Sequence, residues 1–219
     1  VPGRRVGLVG RRGGRVTIKR GEAWGESGPL PEDGVVVTSD AQARAVVEAA
    51  RRRGDDPPPL GLAGGDLCRT LGGRGDLGRL RTDEAVRTTV DVGSVLVDGR
   101  HHWFVAHLVA RRSWWRGRVV AAMNAEWLGS WDVAPRAHPN DGLLDVLDVQ
   151  LTLGDRVKAR GRLPQGTHVP HPDIRQQRTK AAQFDLDPSL GVWLDGERLS
   201  ERARSLSIRI EPDALTVVV

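Results

Sequence analysis

"DGVVVTSDAQARAVVEAARRRGDDPPPLGLAGGDLCRTLGG", residues 33–73, carries the sharpest pattern in the chain. Val35 to Val37 read as a buried strand, and Ser39 or Asp40 as the N-cap of a helix from about Ala41 to Arg53. Gly54 and the prolines after it stop that helix. A second apolar strand follows near Leu60 to Ala63. Strand, helix and strand in this order make a βαβ unit, which calls for a parallel sheet. The glycines of Leu60 to Gly73 then pose a question, because glycine lets backbone N–H groups approach a phosphate closely.

Outward from this unit the pattern weakens on one side and changes on the other. Residues 1–34 are rich in Gly, Arg and Pro, with a short candidate strand at Arg15 to Lys19 and no strong period. After Asp91 short alternating segments take over. "VDVGSVLVDGRHHWFVAHLV" reads as two strands joined at Asp98-Gly99, and "SLSIRIEPDALTVVV" as two strands joined by a turn at Glu211 to Ala214. "LLDVLDVQLTL" and "GVWLDGERL" also favour strands, and one helix is expected around Arg111 to Leu128. The fold class is therefore α+β. Residues 1–90 form a small α/β domain, and residues 91–219 an antiparallel β-rich domain.

Composition narrows the function classes. The 33 basic residues are nearly balanced by 28 acidic ones, so the net charge is only +5 and no basic tail is present. Nucleic acid is a disfavoured partner. Only Lys19, Lys158 and Lys180 are lysines, and arginine supplies the other basic residues, a bias that a GC-rich genome produces as readily as phosphate binding does. Cys68 is the sole cysteine, which excludes an internal disulfide framework and a cysteine-based zinc site. No apolar run has the length of a signal peptide core or a membrane span, so a cytoplasmic protein, peripheral to the membrane at most, is expected.

The second half contains an ordered series: "NAEWLGSWDVAPRAHPNDGLLDVLDV", then "LPQGTHVPHPDI", "VWLDGERL" and "IRIEPDALTVVV". This succession resembles the C-terminal domain of the diacylglycerol kinase and bacterial lipid kinase family, within the NAD kinase-like superfamily. An Asp-Gly-Leu-Leu-Asp motif, a Gly-x-His motif and an Asp-Gly-Glu motif follow one another there. The likeness covers roughly Val119 to Val219. The family's N-terminal domain carries two glycine-rich nucleotide loops. Here "DLCRTLGG" matches the helix after the second loop, while Thr38, Ser39 and Ala41 stand where the first loop has glycines. The chain resembles a reduced and diverged member, and Leu60 to Gly73 the remnant of a nucleotide loop, which implies that the α/β domain of residues 1–90 is of reduced nucleotide-binding type.

The resemblance implies roles for particular residues. Asp195 would be the general base on a lipid hydroxyl, with Glu197 organising metal and phosphate. Thr38, Ser39, Asp40, Gly64, Gly65 and Asp66 would line the nucleotide site. Asp141 would sit at a Mg²⁺ site, where an oxygen-rich turn suits a hard cation. Each has a plainer account: Asp-Gly is a common hairpin turn, and Asn140-Asp141 can simply make a turn. The cofactors of an active member would be ATP and Mg²⁺. "RRSWWRGR", with Arg111, Arg112, Trp114 and Trp115, suits a lipid substrate or membrane surface, or equally a β domain on which the indoles pack. A homodimer is compatible with the chain. Two functional readings stand side by side: an ATP-dependent lipid kinase with degenerate nucleotide loops, and a non-catalytic lipid- or protein-binding module descended from one.

Overall fold

The computed structural model describes residues 25–186 and 190–219. The candidate strand at Arg15 to Lys19 lies outside the described residues. The βαβ unit forms where the pattern places it, but its first strand is not the buried one expected: Val35 and Val36 are exposed and only Val37 is buried. Strand β1 (Glu26–Ser27) precedes β2 (Val35–Val37), α1 (Asp40–Arg53) and β3 (Leu60–Leu62), and β2 and β3 pair in parallel. The Ser39 hydroxyl accepts the Gln42 N–H at α1's start, and Gly54, at φ 80°, closes its end. A short helix, α2 (Asp66–Thr70), follows β3.

The remaining strands are β4 (Val86–Val97), β5 (Arg100–Phe104), β6 (His107–Arg111), β7 (Val119–Met123), β8 (Trp127–Leu128), β9 (Trp131–Asp132) and β10 (Leu144–Val149). After helix α3 (Leu153–Arg162) come β11 (Ile174–Thr179), β12 (Ala181–Asp185), β13 (Gly191–Leu194), β14 (Glu197–Ser200) and β15 (Ser205–Val218). One sheet has the order β1-β4-β15-β3-β2, with β5 and β12 paired to β4 and β15; β15 runs parallel to β3 and antiparallel to β4. A second sheet has the order β11-β10-β7-β6-β13-β14, antiparallel throughout. The protein is thus mixed α and β, strand-rich, with a β sandwich in its second half. Strand β4 runs through residues 90 and 91, and the first sheet joins the βαβ strands to the sandwich.

Alternation along the strands assigns the two faces of the second sheet. Leu108, Ala110, Val120, Ala122, Leu144 and Val146 join Val95, Phe104, Leu206 and Ile208 in the core cluster shared with the first sheet. Val109, Val119, Ala121 and Leu147 belong to another buried cluster, with Leu151 and Ile174. Both faces of β7 are therefore covered, and all five of its residues are buried.

That burial overturns the helix expected over Arg111 to Leu128. The segment closes β6, crosses a loop, and forms β7 and β8, since "VVAAM" meets apolar partners on both sides. The helix lies instead at Leu153–Arg162, where Thr152 caps it: the Thr152 hydroxyl accepts the Asp155 N–H at 3.3 Å and donates to Asp155 Oδ2 at 2.8 Å. Nor is "SLSIRIEPDALTVVV" a hairpin. It is one long strand with a bulge between Glu211 and Leu215, where Asp213 takes φ 52° and its N–H is bound by the buried Asp91 carboxylate at 2.9 Å.

Candidate functional site

Asp195 occupies the hairpin between β13 and β14. Its φ of 50° and the φ of 85° at Gly196 give the turn two left-handed residues, as a tight two-residue hairpin requires. The turn carries the Asp195 side chain inward, where it is fully buried. Its carboxylate accepts N–H groups from Val105 (2.9 Å), Ala106 (2.9 Å) and His107 (3.0 Å). Asn124 fixes that loop from below, donating to the carbonyls of Val105 and Asp91 at 2.8 Å each. Burial raises the Asp195 pKa to about 6, while the His107 imidazole and the N–H groups of His107 and Val105 hold it down and the Asp40 charge adds to the rise.

Asp66 opens α2 and reaches His107 across 3.0 Å, the imidazole Nε2–H donating to the carboxylate. Gly129 N–H also donates to it, at 2.9 Å. Burial works against the Asp66 anion, but the His107 and Gly129 hydrogen bonds win and its pKa is lowered. For His107 burial favours the neutral ring, and Asp66, Asp195 and Asp40 together overcome it, so its pKa is raised.

Asp40, the first residue of α1, binds the start of α2: its carboxylate accepts the N–H groups of Asp66 (2.6 Å) and Leu67 (3.1 Å). Burial raises its pKa despite those two bonds. Close approaches to Asp40 and to the Thr38 backbone explain the two glycines before Asp66. A Cβ on Gly65, which has φ 96°, would lie 2.5 Å from Asp40 Oδ1, and one on Gly64 would lie 2.5 Å from the Thr38 carbonyl oxygen. Thr38 has its N–H bound by Gln42 Oε1 at 2.8 Å.

These residues surround an open cleft of about 480 Å³, lined by Ser39, Asp40, Gly65, Asp66, His107 and Asp195, with Trp114, Leu128, Gly129 and Trp131 along one side. Of the residues singled out in the sequence, Ser39, Asp40, Gly65, Asp66 and Asp195 come together here. Thr38, Gly64, Glu197 and Asp141 do not line the cleft. Glu197 instead pairs with Arg44 at 2.5 Å, whose Nε lies 3.9 Å from Asp195. Asp141 is ion-paired with Arg178 and accepts the Leu143 N–H, in the turn that leads to β10. The ligand atoms that converge are those of Asp40, Asp66 and His107, all within 4.8 Å of one another. Sequence reasoning missed His107, Arg44 and Asn124, since their roles arise from contacts between distant segments.

Beside the cleft lies an apolar pocket of about 100 Å³ on the outer face of the second sheet, beneath α3. Val119, Ala121 and Leu147 form its floor, and Trp114, Leu128 and Trp131 belong to both pocket and cleft. Trp114 and Trp131 meet edge to face with centroids 5.2 Å apart. The Arg111 guanidinium sits between the rings of Trp114 (4.4 Å) and Trp193 (4.1 Å). Among the described residues no helix is long and apolar enough to cross a membrane.

Comparison with known proteins agrees with this architecture. Residues 84–219 match the family described as the YegS C-terminal NAD kinase beta sandwich-like domain. Two solved structures of a candidate diacylglycerol kinase from Bacillus anthracis str. Sterne superpose with TM-scores of 0.65 and 0.64 at 16% and 15% identity, each covering 84% of this chain and 77% of the other. A third, a diacylglycerol kinase from the same organism, gives 0.52 at 16% identity, over 84% of this chain and 75% of that one. No curated protein matches the chain.

Proposed function

The chain belongs to the family of the YegS C-terminal NAD kinase beta sandwich-like domain, and from that premise we propose that it is a diacylglycerol kinase-like protein that presents a lipid hydroxyl at Asp195, with ATP-dependent phosphorylation as the parent activity. The observation that carries this reading is the shared wall of Trp114, Leu128 and Trp131. An acyl chain in the pocket would leave its polar end in the cleft that Asp195, Asp66 and His107 line. The pKa of about 6 at Asp195 suits a group that takes a proton near neutral pH, and the three amides hold its oxygens in place.

Asp40, Asp66 and His107 carry ligand atoms within 4.8 Å of one another; they would hold a divalent cation once His107 gave up the Nε2 proton it donates to Asp66, and the cation would offset the charge of phosphate groups in this acidic cleft. The same residues do not fit a polyphosphate held by free loop amides, because Asp40 already binds those of Asp66 and Leu67 and Gln42 binds that of Thr38. The second reading is a non-catalytic lipid- or protein-binding module descended from a lipid kinase. Incubation of the protein with dioctanoylglycerol, Mg²⁺ and labelled ATP separates the two. Labelled lipid that is absent with Asp195→Asn supports the kinase; lipid binding without labelled product supports the module; neither binding nor product overturns both.

A further inference from the structure

Helix α3 is turned inside out. Leu153 and Val157, one helical turn apart, face water at 63% and 58% exposure, while Arg156 is buried. A surface helix of a globular protein ordinarily does the reverse. Arg156 is held inward by carbonyl oxygens: Nε donates to Leu151 at 3.0 Å, Nη1 to Trp114 at 3.2 Å, and Nη2 to Gly117. The burial of this arginine therefore locks the helix with its leucine and valine outward.

The loop before β7 extends the same face. Trp115 is 46% exposed, and the Arg160 guanidinium of α3 lies 5.1 Å from its ring centroid. Leu153, Val157 and Arg160 follow the i, i+4, i+7 spacing of one helical stripe. The charge around this stripe is one-sided. In residues 111–118 and 153–162 the exposed basic residues are Arg112, Arg116, Lys158, Arg160 and Arg162; against them stand Asp155, engaged by Thr152 and by Lys158 at 3.1 Å, and Asp173 beside it.

We propose that this face docks on an anionic lipid bilayer, with Leu153, Val157 and Trp115 entering the boundary between headgroups and acyl chains while the surrounding arginines and Lys158 meet lipid phosphates. Apolar side chains exposed inside a basic surround match an interface that is anionic at its rim and apolar within. Nucleic acid would use the cations and Trp115 but has no apolar layer for Leu153 and Val157. The assignment shifts the contact away from Arg111 and Trp114, which are half-buried and stacked on one another and on Trp193 and Trp131, to the outer side of α3. The inner side of the helix, through Arg156, Ala159 and Leu163, lines the apolar pocket, so docking would set that pocket against the lipid; this last clause rests on the proposed function, and the docking itself does not.

The test is co-sedimentation with vesicles of phosphatidylcholine alone and of phosphatidylcholine mixed with phosphatidylglycerol, across a salt series. The protein is expected to pellet with the mixed vesicles, and less so as salt rises. The double variant Leu153→Gln/Val157→Gln should partition about tenfold less or weaker still, and Lys158→Glu should lose binding mainly at low salt. Both change exposed positions, and dioctanoylglycerol binding measured on the same samples reads the pocket separately from the docking face. Wild-type protein left in the supernatant, or a double variant that partitions equally, overturns the proposal, and binding to an acidic polymer without binding to vesicles assigns the face to another partner.

Discussion

Asp195 and His107 hold each other by two hydrogen bonds: the His107 N–H donates to Asp195 Oδ1 at 3.0 Å, and the Asp195 N–H donates to the His107 carbonyl at 2.9 Å. The β13–β14 turn is thereby latched to the start of β6. Replacing Asp195 with Ala leaves three buried amides without their acceptor, and a loss of about 2–4 kcal/mol is expected. Denaturant unfolding of the variant measures it; an unchanged midpoint would show that the latch carries no stability.

Glu197 behaves differently despite standing two residues away. Its side chain is 65% exposed and its partner is Arg44. Glu197→Gln should change stability by less than about 1 kcal/mol, as exposed ion pairs do. The same unfolding assay makes the comparison, and a loss as large as that of Asp195→Ala would contradict the division of roles.

The pH dependence of stability has a definite sign at this cluster. Asp195 titrates near 6 when folded against an ordinary value of 3.8, and His107 is also raised, so both bind protons more readily in the folded state. Their contribution is fully present below the unfolded pKa values and is lost as pH rises through the folded ones. Stability should therefore fall between about pH 4 and 6 through Asp195, with His107 extending the fall to higher pH. Asp66, with its lowered pKa, opposes this only in more acidic solution. Unfolding midpoints measured from pH 4 to 8 should flatten over the lower window in Asp195→Asn; a wild-type profile rising over that window would refute the assignment.

Gly65 offers a test of the contact between Asp40 and α2. Alanine there must adopt φ 96° and place its Cβ against the Asp40 carboxylate. A destabilisation of about 2–3 kcal/mol is expected, measured as a lowered melting temperature. Full tolerance of Gly65→Ala would mean that the glycine serves something other than this close approach.

Nucleotide binding, if the cleft retains it, should require a divalent cation, because three carboxylates face the space and the loop amides are already bound. Calorimetry with ATP in Mg²⁺ and again in EDTA decides this. Heat that persists in EDTA would point to a cation-independent site elsewhere.

How far the sequence spoke depended on whether the cause was local. Ser39, Gly54 and the Val35–Val37 run are local signals, and the βαβ unit followed them closely. The ordered motifs from Asn124 onward carried the sandwich. The α3 helix was hidden because Leu153 and Val157 continue the apolar pattern of "LLDVLDVQLTL" and face outward, so they give no inward stripe to read. In β7, burial on two faces erased the alternation that marks a strand. Of the candidate site, Asp195, Asp40 and Asp66 were legible through motif order, whereas His107 sits in an apolar strand with no neighbouring signal. Its role exists only once β6 meets α2.

The most direct measurement is titration of the protein with dioctanoylglycerol, followed by tryptophan fluorescence, since Trp114, Trp115 and Trp131 line the pocket. The account predicts a saturable change in wild type and at least about tenfold weaker binding in Ala159→Phe, which fills the pocket from α3. No saturable change, or equal binding by Ala159→Phe, would contradict the claim that the pocket beside Asp195 receives a lipid chain.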